Sequence, residues 1–291
     1  VNENSRNLSY VVPVGADGTA TMNWTPENAG KATVDATFSG RDGVTGSTTT
    51  QQLTITAATT TTPKPTTKPP APDAIMGGQR YTTHLPHEEM SSFCSFGFNG
   101  TDDDDHAVAI TAGHCDRRRD EAGGFGATWV REGSDGDGDY LGKFDKTVVN
   151  GTDYSVIKID DSVAKRFENN FVDTHGGDPL AITGTADPVV GAPVCKSGTM
   201  TGFTCGKITA INQYVTGANF SGAVIVTLRD SFVSTLCVIP GDSGGSIVTG
   251  TKALGITSSG NGGACNSSSH TWGQPINAIL AANPGLKIRT N

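Results

Sequence analysis

The sequence predicts an all-β protein with one short helix near its C-terminal end. Three observations predict it. Apolar runs are short and broken by turn residues, glycine fills 38 of 291 positions, and only 7% of residues are aromatic, a balance that suits many short strands. Strand-like runs recur at 106–113 (HAVAITAG), 154–160 (YSVIKID), 206–212 (GKITAIN), 223–229 (AVIVTLR) and 245–250 (GSIVTG). Only PINAILAAN (275–283) has the spacing of an amphipathic helix. The pattern alone leaves barrels and a sandwich open.

In chain order, residues 1–57 read as a first module. GTATMNWT (18–25), KATVDATFSG (31–40) and QQLTITA (51–57) alternate apolar and polar residues, with Pro, Gly and Asn between them, which is strand periodicity. The stretch DGTATMNWTPENAGKATVDATFSG (17–40) resembles the second half of bacterial immunoglobulin-like repeat domains. Such a sandwich takes about seven strands and about 100 residues, so a partial Ig-like β module is expected, truncated or completed by upstream sequence, acting as a spacer or adhesion unit. TTTTPKPTTKPPAP (59–72) is nearly all Thr, Pro and Lys, too little apolar surface to pack. Residues 58–73 are therefore expected to form an extended linker, and 74–291 a large second domain.

A net charge of −8 argues against nonspecific nucleic-acid binding, and no apolar run approaches the roughly 18 to 20 residues of a membrane span. The opening VNENSRNLSY has no signal-peptide pattern, so the chain reads as already processed or as a fragment. The six cysteines, Cys94, Cys115, Cys195, Cys205, Cys237 and Cys265, form no CxxC pair. That favours disulfides over zinc and points to a secreted, oxidising context. The acidic tracts DDDD (102–105) and DGDGD (135–139) are read as solvated loops, since the second lacks the glycine and glutamate spacing of a calcium loop.

The chemistry gathers around PGDSGGS (240–246), where Ser243 stands among Gly241, Gly244 and Gly245. A nucleophilic serine needs a general base and a third group to orient that base. TAGHC (111–115) puts His114 at the end of the run AVAI, and GTDYSVIKI (151–159) puts Asp153 just ahead of a β-branched run. The order His, Asp, Ser is one of three known chain orders of the triad, whereas an α/β-hydrolase would need Ser, Asp, His and a G-x-S-x-G elbow.

With TAGHC and GDSGG stand CSFGFN (94–99), VCKSGTMTGFTCGKI (194–208), GITSSG (255–260) and QPI (274–276). On these motifs residues 74–291 resemble the chymotrypsin-clan serine proteases, most of all the bacterial streptogrisin and alpha-lytic-protease branch. The resemblance implies two six-stranded antiparallel β-barrels and a secreted serine endopeptidase. It implies His114 as general base, Asp153 as its orienting carboxylate, Ser243 as nucleophile, and the N–H groups of Gly241 and Ser243 as the oxyanion hole. The glycines are read as leaving room for the substrate oxygen.

The same resemblance implies disulfides Cys94–Cys115, Cys195–Cys205 and Cys237–Cys265. It implies Ser258 as a donor to Asp153, and Lys196, where the branch has arginine, as the shielded partner of Asp242. Ser246 departs from the family, which usually has proline there. Substrate-binding residues are expected to be Val238, Ile239, Ser258, Ser259, Gly260 and His270. Trypsin-like relatives carry an aspartate where this chain has Thr235, so a basic side chain is not expected before the cleaved bond. Gly260 is read as leaving the pocket entrance open, and Val238, Ile239 and Pro240 as an apolar wall. That favours a large apolar side chain, with Glu or Asp as the alternative through a protonated His270. The expected partners are peptide or protein substrates, without nucleic acid, membrane span, cofactor or metal, and the expected state is a monomer. A catalytically silent binding or adhesion protein on the same fold is the competing expectation; a binder has no need to keep all three triad residues.

Overall fold

The computed structural model describes residues 2–290 except 4–5, 16–17, 21, 23, 25–29, 42, 56–68, 86–91, 134–136, 219–223 and 262–264. The chain divides into two compact units, Val1–Thr66 and Thr67–Asn291. The first holds a four-stranded sheet in the order Arg6–Asn7, Asn2–Glu3, Gly30–Phe38, Ser47–Ile55. Its last two strands keep an unbroken antiparallel register from Gly30 opposite Ile55 to Phe38 opposite Ser47. The described residues of 18–25 carry no strand. There Gly18, at φ 79°, closes a turn in which Gly15 N donates to Thr19 O at 2.7 Å, and the turn displaces the expected strand. Residues 58–68 of the expected linker lie outside the described residues.

The second unit is built from two curled sheets. The first runs in the order Lys287–Ile288, Phe98–Thr101, Ala107–Thr111, Tyr154–Ile159, Tyr140–Val148, Trp129–Arg131, Arg80–His84, Ser92–Ser95. Ser92–Ser95 and Phe98–Thr101 lie at opposite ends of that order yet only two residues apart in the chain, so the sheet curls back on itself into a barrel. The second runs Asn150–Gly151, Val224–Ser234, Gly202–Ala218, Pro193–Gly198, Ser246–Thr249, Lys252–Gly260, Thr271–Pro275; the short Asn150–Gly151 strand adds in parallel, and the last strand pairs again with Val224–Ser234 to close the ring. Closure removes the exposed edges that open sheets carry. A helix follows at Ile276–Ala281, with Ile276 and Ile279 buried.

Why the runs read as continuously apolar is visible in the cores. Ala107–Thr111 is buried at every position because its two faces meet different partners. Ala107 and Ala109 face the first barrel's interior with Tyr81, Phe96, Phe144 and Ile157. Val108 and Ile110 point the other way, into a core shared with Tyr154, Val156, Val248, Ile256 and Ile276. The two strands that lead to His114 and from Asp153 are thus clamped between the barrels. Val194, Ile208, Phe232, Leu236, Ile247 and Leu254 fill the second barrel.

Three disulfides join Cys94 to Cys115, Cys195 to Cys205 and Cys237 to Cys265. The loop between Cys237 and Ser246 is tied down from below. Asp242 is fully buried and accepts hydrogen bonds from Met200 N, Thr201 N, Ile239 N and the Thr201 hydroxyl. The Lys196 ammonium, equally buried, lies 3.6 Å from Asp242 Oδ2 and donates to Thr201 Oγ1 and Gly202 O. Burial opposes the Lys196 charge more strongly than Asp242 supports it, so this lysine holds its proton less firmly than an ordinary one. Ser246 is buried, and its hydroxyl donates to Gly97 O, which fastens the far end of the loop to the first barrel. Replacing Lys196 by Met leaves the Asp242 charge unmatched in the interior, and stability is expected to fall by about 3–5 kcal/mol. Urea unfolding of Lys196→Met beside the unaltered chain measures this; an unchanged midpoint contradicts it.

Candidate active site

The His114 side chain is carried on a tight 3-10 turn, Gly113–Cys115, just after the Ala107–Thr111 strand. Gly113 is required there, since a Cβ would sit 2.2 Å from Val148 O and 2.9 Å from Tyr154 O. The neighbouring strands therefore hold the turn by backbone contact, and the Cys94–Cys115 disulfide pins its far end.

Asp153 is fully buried, while the His114 side chain is 15% exposed. One carboxylate oxygen, Oδ1, accepts the His114 backbone N–H at 2.8 Å. The other, Oδ2, lies 2.8 Å from His114 Nδ1 and accepts the Ser258 hydroxyl. Ser258 reaches it because the pairing of Lys252–Gly260 with Thr271–Pro275 slips between Thr257 and Ser259, and such a bulge re-aims a side chain. His114 Nε2 in turn lies 2.8 Å from Ser243 Oγ. Burial would raise the Asp153 carboxyl, but the His114 charge, the His114 hydrogen bonds and Ser258 outweigh it and hold the group below the usual aspartate range. Burial likewise opposes an imidazolium at His114. The Asp153 charge and hydrogen bond more than offset that and raise its pKa above the ordinary histidine value, against a smaller opposing pull from the Arg119 charge.

Around Ser243 the backbone is held at several points. Gly244 N donates to Thr257 O at 2.7 Å, Ser95 N to Ser243 O at 2.8 Å, and Ser95 Oγ to Gly241 O at 2.8 Å. Among the described residues, the N–H groups of Gly241 and Ser243 donate to no protein acceptor. The glycines have a reason within the protein itself. A Cβ on Gly241, at φ 105°, would strike the Phe93 ring at 2.3 Å and Met200 at 2.6 Å; one on Gly244, at φ 81°, would strike the Thr111 hydroxyl at 2.0 Å. Close packing against the protein and left-handed backbone angles demand them.

The expected pocket residues come together only in part. Ser259 and Gly260 lie on the strand beside Ser258, paired with Trp272 and Thr271. Val238 packs directly over Gly260, where a Cβ would come within 2.2 Å of Val238 Cγ2, so Gly260 does not leave the entrance open: Val238 occupies that space. Ile239 serves the loop through its backbone N–H to Asp242. His270 turns its ring edge-on to Trp272 at 4.6 Å, with Nδ1 3.2 Å from Ser268 O. Thr235 is exposed, and its hydroxyl accepts Lys207 N at 3.0 Å; it does not form a pocket floor. The sequence reading missed Thr201, which links Lys196 to Asp242, and Phe93 and Met200, which flank Gly241. Met200 and Thr201 lie within the stretch 194–208 and Phe93 just ahead of 94–99, but nothing in those motifs gives the three residues a role.

Cys94, His114 and Cys115 form the only metal-competent grouping of such side chains among the described residues, and both sulfurs are engaged in a disulfide, so no thiolate is available. Asp139, from the second acidic tract, lies 3.6 Å from Arg166. In the first tract Asp102 accepts the N–H groups of Asp104 and His106.

Comparison with known proteins agrees with this geometry. The family model for trypsin matches residues 99–280. Streptogrisin-C of Streptomyces griseus is 34% identical over 75% of this chain, which spans 41% of that protein's length. Glutamyl endopeptidase 2 of the same organism is 31% identical, over 66% of this chain and 90% of its own length. The crystal structure of Nocardiopsis protease superposes with a TM-score of 0.58 at 32% identity, covering 75% of this chain and all of that one. The double barrel, the match over more than half of the chain and these relatives establish that the chain belongs to the trypsin family of serine proteases.

Proposed function

We propose that the chain is a secreted serine endopeptidase whose second unit cleaves peptide bonds through an acyl-enzyme at Ser243. The observation that carries this reading is the continuous line of hydrogen-bond contacts from Asp153 through His114 to Ser243 Oγ, each step 2.8 Å. His114 Nε2 takes the proton as Ser243 Oγ attacks the peptide carbonyl, and returns it to the leaving amine as the acyl-enzyme forms. Water then repeats the cycle and frees the serine. Asp153 keeps the Nδ1 proton in place and stabilises the imidazolium. The carbonyl oxygen, negative in the tetrahedral intermediate, is met by the N–H groups of Gly241 and Ser243, which a packed, pre-set loop presents without reorganisation. Three disulfides fit an oxidising, extracellular setting, and no helix among the described residues is long and apolar enough to cross a membrane. Residues 1–57 and the Thr/Pro-rich segment 58–73 serve in this reading as a spacer ahead of the peptidase.

Before the cleaved bond we favour an apolar side chain, because Val238 packs a methyl group against Gly260, on the strand that carries Ser258 and Ser259. The likeness to a glutamyl endopeptidase supports an acidic residue as the second reading, with His270 as the group that would meet it.

Three measurements test the proposal. A sulfonyl fluoride is expected to label Ser243 alone, and Ser243→Ala to lower kcat by about 10⁴-fold or more; labelling elsewhere or undiminished turnover refutes it. Because the base must be neutral and the His114 pKa is raised, kcat/KM is expected to fall with decreasing pH at a midpoint above the ordinary histidine value of about 6.5. A profile flat through that range removes His114 as base. For specificity, matched peptides with Phe, Leu, Glu or Lys before the cleaved bond are compared by kcat/KM. Phe or Leu is expected to lead; a lead for Glu that disappears in His270→Ala selects the second reading, and a lead for Lys overturns both.

A further inference from the structure

Ser95 ends the strand Ser92–Ser95 of the first barrel and has no solvent contact. Its polar groups are engaged with the Ser243 loop and with the elements that support it. The Ser95 N–H donates to Ser243 O at 2.8 Å, and its hydroxyl donates to Gly241 O at 2.8 Å while accepting Thr199 N at 2.9 Å. Its carbonyl accepts the Thr111 hydroxyl at 2.9 Å. One residue of the first barrel thus holds the carbonyls on both sides of Asp242.

The direction of the hydrogen bonds behind Ser95 follows from counting protons. Thr111 Oγ1 lies 2.8 Å from Tyr81 OH, and each hydroxyl has one hydrogen. Thr111 spends its own on Ser95 O, which can only accept, so Tyr81 donates to Thr111. Burial pushes the Tyr81 phenol well above the ordinary tyrosine range, and the Thr111 bond offsets only part of that, so the donor keeps its proton. Tyr81 is itself wedged against the rings of Phe96 and Phe144, with centroids at 4.7 and 6.3 Å. The packed interior of the first barrel therefore sets Thr111, and Thr111 sets Ser95.

We propose that Ser95, held in place by Thr111 and Tyr81, is a positioning residue for the oxyanion hole. The inference rests on the peptidase reading, in which the N–H groups of Gly241 and Ser243 meet the carbonyl oxygen. The Ser243 N–H belongs to the Asp242–Ser243 peptide, whose carbonyl accepts Gly245 N at 3.0 Å; the carbonyls before and after it are the two that Ser95 holds. Gly241, at φ 105°, has no Cβ to limit its torsions, so its conformation is fixed from outside, and the Ser95 hydroxyl is the group on its carbonyl. A loosely aimed donor penalises the transition state more than the bound substrate, because charge on the oxygen develops only as Ser243 attacks.

The test uses the full chain, with enzyme concentration set by active-site titration, and three probes built on one peptide. The first is the cleavable substrate. The second is the peptide aldehyde, whose carbonyl carbon bonds to Ser243 Oγ while the serine proton passes to His114, leaving an oxyanion in the hole. The third is the peptide alcohol, which binds without forming that bond. In Ser95→Ala, kcat is expected to fall about tenfold and KM to change by less than about twofold. The aldehyde is expected to weaken by about the same factor as kcat while the alcohol binds as before. The acidic limb of the pH profile is expected to stay in place, since His114 and Asp153 are untouched. Tyr81→Phe deletes one oxygen and is expected to lower kcat and aldehyde affinity together by about threefold. Unchanged kcat and aldehyde affinity in Ser95→Ala overturn the positioning role and leave the peptidase reading standing. Equal losses for aldehyde and alcohol overturn it as well, since they mark general damage to the cleft. An effect of Ser95→Ala with none from Tyr81→Phe overturns the part assigned to Tyr81. If Ser95→Ala does not fold, Tyr81→Phe decides alone, and unchanged aldehyde affinity there refutes the proposal. If the unaltered chain neither cleaves the peptide nor binds the aldehyde more tightly than the alcohol, the peptidase reading falls and the positioning role falls with it.

Discussion

The arrangement around Ser243 depends on one buried charge. Asp153 is a carboxylate with no solvent contact, and a charge so placed is tolerable only when hydrogen-bond donors surround it. Those donors come from both barrels: His114 supplies its backbone N–H and Nδ1 from the first, and Ser258 its hydroxyl from the second. The demand of one side chain therefore fixes the relation of the two barrels at the point where Ser243 meets His114. The shared core of Val108, Ile110, Tyr154, Val156, Val248 and Ile256 excludes water from that junction and makes the demand strict.

A second buried carboxylate orders the Ser243 loop in the same way. Asp242 collects three backbone N–H groups and a hydroxyl, and Lys196 balances its charge. With the carboxylate fixed, the loop can pass so near Phe93, Met200 and Thr111 that only glycine fits at 241 and 244. The N–H groups of Gly241 and Ser243 donate to no protein acceptor among the described residues. Ser246 adds a hydroxyl bond to Gly97 O, where a proline would supply rigidity without a donor.

The surroundings of the triad are less uniform than the triad itself. On one side Val238 covers Gly260 and the His270 ring stands edge-on to Trp272, contacts between separate strands and loops. On the other, the 116–121 loop turns Asp116 inward, where its carboxylate accepts the Thr128 and Thr147 hydroxyls. The hydrogen-bonded centre is constrained by burial.

The sequence by itself determined the strands, the single helix and the family. Short apolar runs such as 106–113 and 154–160 became strands, and PINAILAAN became the Ile276–Ala281 helix, because burial on both faces and helical periodicity leave local imprints in one stretch of chain. His114, Asp153 and Ser243 were legible for a related reason: each sits in a short motif whose glycines and flanking apolar residues follow from local backbone needs. Only the tertiary structure decided what depends on residues far apart in the chain. That Val238 fills the space above Gly260, that Thr235 points to Lys207 rather than into a pocket, and that Thr201 joins Lys196 to Asp242 are contacts across 5 to 41 positions, with no periodicity to announce them. The stretch 18–25 shows the converse: its sequence alternates, yet its described residues carry no strand, and its start is taken up in the turn in which Gly15 N donates to Thr19 O.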